Sequence, residues 1–238
     1  MSNVSDWTRS GEVYLLLDGI GVPTDELHAS FPSLKADDYL QGAHKFRYRA
    51  FSEVAVTNGA VVEWRRPAVF SQSREINTYL GGVDRHYSPI AEAARQFAAG
   101  IIQTLFARGA ISAGNFLVGV HQIRVVATRD FEGQPAPEGF HRDGFDYVYI
   151  HCVAKANVDG GISMISDGSG ERVVFEKLLL PGEALLINDE KAKHYVSPIR
   201  PLEAGDAVRD VVVMTFARQR AGHFPPPGKS ASAPSLVE

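Results

Sequence analysis

Residues 145–166, FDYVYIHCVAKANVDGGISMIS, hold two runs of apolar and β-branched residues separated by Asn157-Val-Asp-Gly-Gly161. Runs of this length and composition read as strands, and Asn, Asp and Gly between them accept the left-handed backbone of a turn. Further out, runs of the same kind lie near 116–128, 172–179, 183–188, 194–199 and 208–217, punctuated by Gly, Pro and Asp. Seven short strands in close succession predict a sandwich or barrel for the second half of the chain. No internal repeat is visible, and no Pro- or Ser-rich linker divides the chain.

The first half has a different character. From 88 to 109, SPIAEAARQFAAGIIQTLFARG begins with a capping Ser followed by Pro, continues with apolar residues at helical spacing and ends on Gly, which predicts a long helix with one buried face. Pro23-Thr-Asp-Glu predicts a shorter helix to about Phe31, capped by Thr24 or Asp25. Between 44 and 66, two β-rich runs flank Asn58-Gly59, a dipeptide that tolerates the positive φ angles of a tight hairpin, and such a hairpin can add strands to the sheet. A short apolar run occupies 13–17. The expected organisation is a loose N-terminus over 1–10, one domain over 11–221, and a Pro-, Ser- and Ala-rich tail over 222–238.

With 238 residues, 45% hydrophobic and 22% charged, the chain can bury a sizeable single core without staples. Its net charge of −4 supplies no basic field for nucleic acid or an anionic membrane. Cys152 is the only cysteine, which excludes intrachain disulfides and cysteine-cage metal sites and fits a reducing compartment. There is no run of 18 apolar residues, and the start lacks the basic and apolar regions of a signal peptide. The expectation is a cytoplasmic protein with a small-molecule partner, no nucleic acid and no membrane; a homo-oligomer is left open.

The stretch most informative about chemistry is Glu138-Gly-Phe-His-Arg-Asp-Gly-Phe-Asp146, at the start of the 145–154 strand. His141 and Asp143 are two apart, so in extended backbone their side chains share a face and can grip one metal ion. Chance alone supplies about half an HxD pair in a chain of this composition, so the pair gains meaning only from context. That context is a Pro- and Gly-bearing loop before it and, on later strands, His194 and Arg209. Two His and one carboxylate on one face of an octahedron is the arrangement of non-haem iron(II) oxygenases. Taken alone, His194 reads better as a capped or half-buried histidine after the polar run 188–193, and only the triad as a whole reverses that.

Arg209 begins Arg-Asp-Val-Val-Val-Met-Thr-Phe216. It can clasp a carboxylate bidentately at a barrel mouth, or pair with Asp206 or Asp210 at a sheet edge. Gln122 and Arg124, in His121-Gln-Ile-Arg-Val-Val126, share one strand face that either lines a pocket or meets solvent. Asn157 is first a turn residue, with a ligand role also open. His151 and Cys152 lie in an apolar run and read as a satisfied histidine and a buried thiol. No G-x-S-x-G, P-loop or H-E-x-x-H string is present.

In the conjunction of His121-Gln-Ile-Arg-Val125, Pro137-Glu-Gly-Phe-His-Arg-Asp-Gly144, Asn157-Val-Asp-Gly-Gly161, Asp189 with His194, Pro198-Ile-Arg-Pro201 and Arg209-Asp-Val-Val-Val-Met-Thr-Phe216, the chain resembles the 2-oxoglutarate/Fe(II)-dependent dioxygenase family that includes bacterial L-isoleucine 4-hydroxylase and related free amino-acid hydroxylases. Lys155 stands where relatives commonly carry an arginine. The resemblance implies a mainly β fold with flanking α-helices, a double-stranded β-helix (jelly roll, cupin-like). It implies Fe(II) held by His141, Asp143 and His194, with Arg209 binding the distal carboxylate of 2-oxoglutarate, and O2 as co-reactant. The implied reaction is hydroxylation of an unactivated C–H bond of a free aliphatic L-amino acid or close derivative, releasing succinate and CO2. Related iron halogenases lack the carboxylate, so Asp143 favours hydroxylation. Of the groups that would meet the amino acid, Arg124 is the candidate for its carboxylate and Asp146 or Glu138 for its amine, with Gln122 and Asn157 as further contacts. Two other readings stand beside this one: a non-catalytic jelly-roll binding module, and a cupin-type metal dioxygenase that does not use 2-oxoglutarate.

Overall fold

The computed structural model describes Trp7, residues 11–40, 45–65, 69–72 and 81–219, and Phe224. Its strands are β1 (Tyr14–Leu17), β2 (Arg47–Thr57), β3 (Ala60–Arg65), β4 (Val69–Phe70), β5 (Arg85–His86), β6 (Asn115–Ala127), β7 (Tyr147–Ala156), β8 (Val158–Gly160), β9 (Ser163–Ser166), β10 (Val173–Lys177), β11 (Ala184–Asn188), β12 (Lys193–Val196), β13 (Ile199–Pro201) and β14 (Ala207–Gln219). Its helices are α1 (Asp25–Ser30) and α2 (Glu92–Ala107). The expected tails at 1–10 and 222–238 lie outside the described residues, apart from Phe224 and Trp7, whose buried indole donates to Ala110 O at 2.8 Å.

Seven strands pair in the order β1-β11-β7-β14-β6-β2-β3, antiparallel throughout. The hairpin at Asn58-Gly59 forms, with φ of 51° and 84° at its two loop residues, as a two-residue turn of this hand requires. It sets β2 beside β6, so the N-terminal half completes the sheet begun by the C-terminal strands. The smaller sheets, β10-β9-β12 and β13-β8, form the second layer of the jelly roll. Ile165 of β9 and Phe175 of β10 pack there against Val148, Ile150 and Ile187 of the large sheet.

Alternation along the long strands gives the large sheet two different faces. Val54 and Val56 of β2, Val118 and Val120 of β6, and Val212 and Met214 of β14 pack on one side against Ala98, Ile101, Ile102 and Leu105 of α2. Burying each of those leucine or isoleucine side chains stabilises the fold by about 1.5–3 kcal/mol. The other side carries the cross-strand rows Arg47–Val125–Arg209 and Arg49–Ile123–Val211, and these line a cavity between the layers.

Helix α1 is capped as its sequence predicts, Thr24 Oγ1 accepting from Leu27 N at 3.2 Å. Helix α2 starts later than the Ser88 cap suggested, with Ala91 at the N-cap. Ser88 O accepts from Phe51 N, and Ile90 N donates to Ser52 Oγ. Tertiary bonds to β2 therefore hold these residues out of the helix.

Candidate metal centre and its cavity

His141 and Asp143 lie between β6 and β7, while His194 is on β12. An isolated bridge joins the two histidines: His141 N donates to His194 O at 3.1 Å, and His194 N donates back to His141 O at 2.9 Å. The rings stand with centroids 4.3 Å apart. Asp143 fills the space beside them, its Oδ1 3.7 Å from His141 Nε2 and its Oδ2 3.7 Å from His194 Nε2. One ligand atom from each residue lies within 4.8 Å of the other two, so the three can hold a single metal ion.

The hydrogen-bond partners prepare these atoms for a cation. His141 Nδ1 is 2.8 Å from Gly139 O, and since a carbonyl only accepts, the proton sits on Nδ1 and the Nε2 lone pair is free. Behind Asp143, the buried Asp189 carboxylate accepts from three successive backbone N–H groups, those of Asp143 (3.2 Å), Gly144 (2.7 Å) and Phe145 (3.1 Å). This clamp fixes the turn that presents the ligand, and Gly144 supplies its positive φ of 83°.

The protonation tendencies of His194 and Asp143 agree with a metal donor set, while that of His141 runs the other way and must be overcome by the cation. Burial, aided by neighbouring His141, pushes His194 down to about 4, leaving a neutral imidazole. Burial also disfavours charge on His141, but Asp143 and Glu138 outweigh it and raise the group. Burial opposes charge on Asp143 as well, yet the two imidazoles hold it below the usual carboxylate range. Asp189 is pushed up to about 7, first by burial and then by Asp143.

Arg209 shares the cavity. It is 3% exposed, and its Nη2 has no hydrogen-bond partner, so neither Asp206 nor Asp210 takes the edge-strand role open to it from sequence. Gly161 lies beside it with a positive φ of 70°; a Cβ there would make ordinary contact with the Arg209 chain at 3.5 Å and a tight one with Ile199 at 3.0 Å. A buried cation that lines a cavity and keeps an unpaired donor fits one carboxylate of a small dicarboxylate.

Three expected substrate contacts are elsewhere. Gln122 points to the helix side of β6, where its Nε2 donates to Ser30 Oγ at 2.7 Å and its Oε1 accepts from Ala91 N at 3.4 Å. On the same face, Arg124 donates to both oxygens of Asp210, each at 2.7 Å. The residues of β6 that line the cavity are instead His121, Ile123 and Val125. Asn157, at φ 55°, fastens a turn by donating to the carbonyls of Glu203, Gly205 and Asp206 and accepting from Glu203 N. Asp146 accepts from Arg218 N at 2.7 Å, whereas Glu138 lines the cavity.

Sequence reasoning missed Arg47, Arg49, Gln72 and Arg85, all of which line the cavity. A signal existed for the first two: Arg47-Tyr-Arg49 sits at period two in a β-rich run, which puts both guanidiniums on one face. Gln72, just beyond β4, and Arg85, on a two-residue strand, left no pattern to read. Gln72 Nε2 donates to Asp143 Oδ1 at 3.2 Å, a further support for the acidic ligand.

A jelly roll whose cavity holds two imidazoles and a carboxylate able to share one ion, with a buried arginine beside them, is built as a mononuclear non-haem iron oxygenase is built. The chain belongs to the 2OG-Fe dioxygenase family, whose sequence profile matches residues 28–215. Enzymes of this family work with Fe(II), 2-oxoglutarate and O2. A segment of 104 residues is 29% identical to the L-isoleucine-4-hydroxylase of Bacillus thuringiensis, a match spanning 43% of each chain. Among solved structures, a BsmA homologue from Methylobium petroleophilum PM1 superposes with a TM-score of 0.71 at 27% identity, over 85% of this chain and 82% of that one. IDO from Bacillus thuringiensis superposes with a TM-score of 0.67 at 19% identity, over 92% of this chain and 98% of that one, a likeness of fold. Among the described residues, no helix is long and apolar enough to cross a membrane.

Proposed function

We propose that the enzyme hydroxylates an unactivated C–H bond of a free aliphatic L-amino acid or close derivative, with 2-oxoglutarate leaving as succinate and CO2. In this reading His141, Asp143 and His194 hold the iron, and Arg209 holds the distal carboxylate of 2-oxoglutarate. One observation carries it: the three ligand atoms converge in the same buried cavity as an arginine with an unused donor. When bound, iron with 2-oxoglutarate and O2 supplies the oxidising power.

The chain's own residues do the selecting. Ile123, Ile150, Val196, Val211 and Val213 wall the cavity with apolar surface that suits an aliphatic tail and excludes water. Glu138 offers a carboxylate to an ammonium group. Retention of Asp143 as a third protein ligand favours hydroxylation over halogenation. The single thiol, buried Cys152, is in keeping with a reducing cytoplasm as the compartment. The match to an isoleucine hydroxylase supports an amino acid as substrate.

The test is incubation of iron-loaded enzyme with 2-oxoglutarate and each of the twenty amino acids under air, read by mass spectrometry. A product heavier by one oxygen atom, together with succinate, is expected. No such product from any of them despite bound iron overturns the substrate class. Full turnover by His141→Ala overturns the ligand assignment, and turnover without 2-oxoglutarate points to a cupin-type oxygenase.

A further inference from the structure

Three arginines besides Arg209 line the cavity: Arg47 and Arg49 on β2 and Arg85 on β5. All are buried, with 7%, 7% and 2% of their surfaces exposed. Their electrostatic situations differ. Arg47 is neutralised by Asp37, whose Oδ2 is 2.9 Å from both its Nε and its Nη2. Arg49 and Arg85 have no carboxylate within ion-pair distance among the described residues. Arg49 donates instead to the uncharged imidazole of His121, from Nη2 at 2.8 Å and Nε at 3.3 Å. Arg85 donates from Nη2 to Gln72 Oε1 at 2.8 Å, and its Nε has no partner.

Both unpaired guanidiniums lie against one aromatic ring, their central carbons 4.8 and 4.4 Å from the Phe70 centroid. Two like charges in a dry wall repel each other and have lost their hydration, a large cost unless a counter-ion arrives. Hydrophobic side chains of similar size would fill the wall more cheaply. His121 cannot help as a cation, since burial and then Arg49 itself push its imidazole well below the ordinary histidine value. Fixed by His121, Gln72 and Phe70, the two forks are held ready for a planar anion without further ordering.

We propose that Arg49 and Arg85 form a second anion site in this cavity, separate from Arg209, which clasps the carboxylate of the substrate. The inference rests on the proposed hydroxylase reading for the identity of that carboxylate, though not for the charge of the site. Gln72 ties the site to the metal-binding end: its amide accepts from Arg85 and donates to Asp143. The position of the substrate's acid group relative to the iron ligands is thereby set through two side chains, and the tail is left to the apolar wall.

The experiment is anaerobic calorimetric titration of the Fe(II)- and 2-oxoglutarate-loaded enzyme with the twenty amino acids, each one that binds being compared with its primary amide. The acid is expected to bind at least about 30-fold more tightly than the amide, the loss typical of an unpaired buried charge. Arg49→Gln and Arg85→Gln should each weaken the acid by a similar factor while 2-oxoglutarate affinity stays unchanged. Equal binding of acid and amide, binding of none of the twenty, or wild-type affinity in both variants overturns the proposal. Should the variants not fold, the acid–amide comparison on the wild type decides alone. Carboxylate binding that follows this pattern without any hydroxylated product supports the anion site and sinks only the hydroxylase reading.

Discussion

His141 and His194, far apart in the sequence, exchange both backbone hydrogen bonds, N to O in each direction. Their rings are thus brought together by main-chain pairing and do not depend on an ion to gather them. A centre built this way is largely preformed, so metal binding adds little further ordering of the chain.

Asp189 is the support of this centre that touches no metal. It clamps the 143–145 turn through three N–H groups, so Asp189→Asn, which removes the charge with little change of shape, should weaken metal affinity by about 10- to 100-fold. Competition titration with Fe(II) or Zn(II) measures this, and wild-type affinity in the variant would remove the role.

Arg209→Gln should raise the KM for 2-oxoglutarate by about 30-fold or more while metal affinity is retained, because the cosubstrate carboxylate would lose a buried charged partner. An unchanged KM would place the distal carboxylate elsewhere. Steady-state succinate formation against 2-oxoglutarate concentration gives the answer.

Arg124 is bonded to Asp210 on the far face of the sheet from the cavity. Arg124→Met should lower stability by about 1–3 kcal/mol, leaving a mostly buried carboxylate unpaired. The KM values for substrate and 2-oxoglutarate should be those of the wild type. A selective rise in substrate KM would return Arg124 to the site.

His151 governs part of the acid limb of stability. Burial lowers its folded-state value from 6.5 to about 4, and Nε2 has no partner behind α2. Between those values the unfolded chain binds the extra proton, so stability is full above about pH 6.5 and falls as pH drops toward 4, by about 3 kcal/mol at the limit. Melting temperatures of wild type and His151→Gln across this range should show a shallower acid slope in the variant; parallel curves would refute the assignment.

Much of the fold was legible because local chemistry and tertiary context agreed. Asn58-Gly59 turned where its left-handed tolerance allowed, Thr24 capped α1, and the seven C-terminal runs became strands. The metal cluster was legible because His141 and Asp143 are close in sequence and extended backbone sends them the same way. The phase of β6 was not. Both its faces are buried, one against helices and the other against the cavity, so the polarity of Gln122 and Arg124 did not reveal which way they point. Arg85 was invisible for a different reason: it lies on a two-residue strand, too short to carry a period.

The two-faced character of the large sheet has a consequence for how sequences of this fold can drift. Replacing residues at every second position of β2, β6 and β14 can retune what the cavity accepts without disturbing the packing on α2. A single inserted or deleted residue within β6 would exchange the two sets, driving Gln122 and Arg124 toward the cavity and withdrawing His121, Ile123 and Val125. The connecting loops should therefore accept changes of length that the strands cannot, and alternate strand positions should accept changes of chemistry.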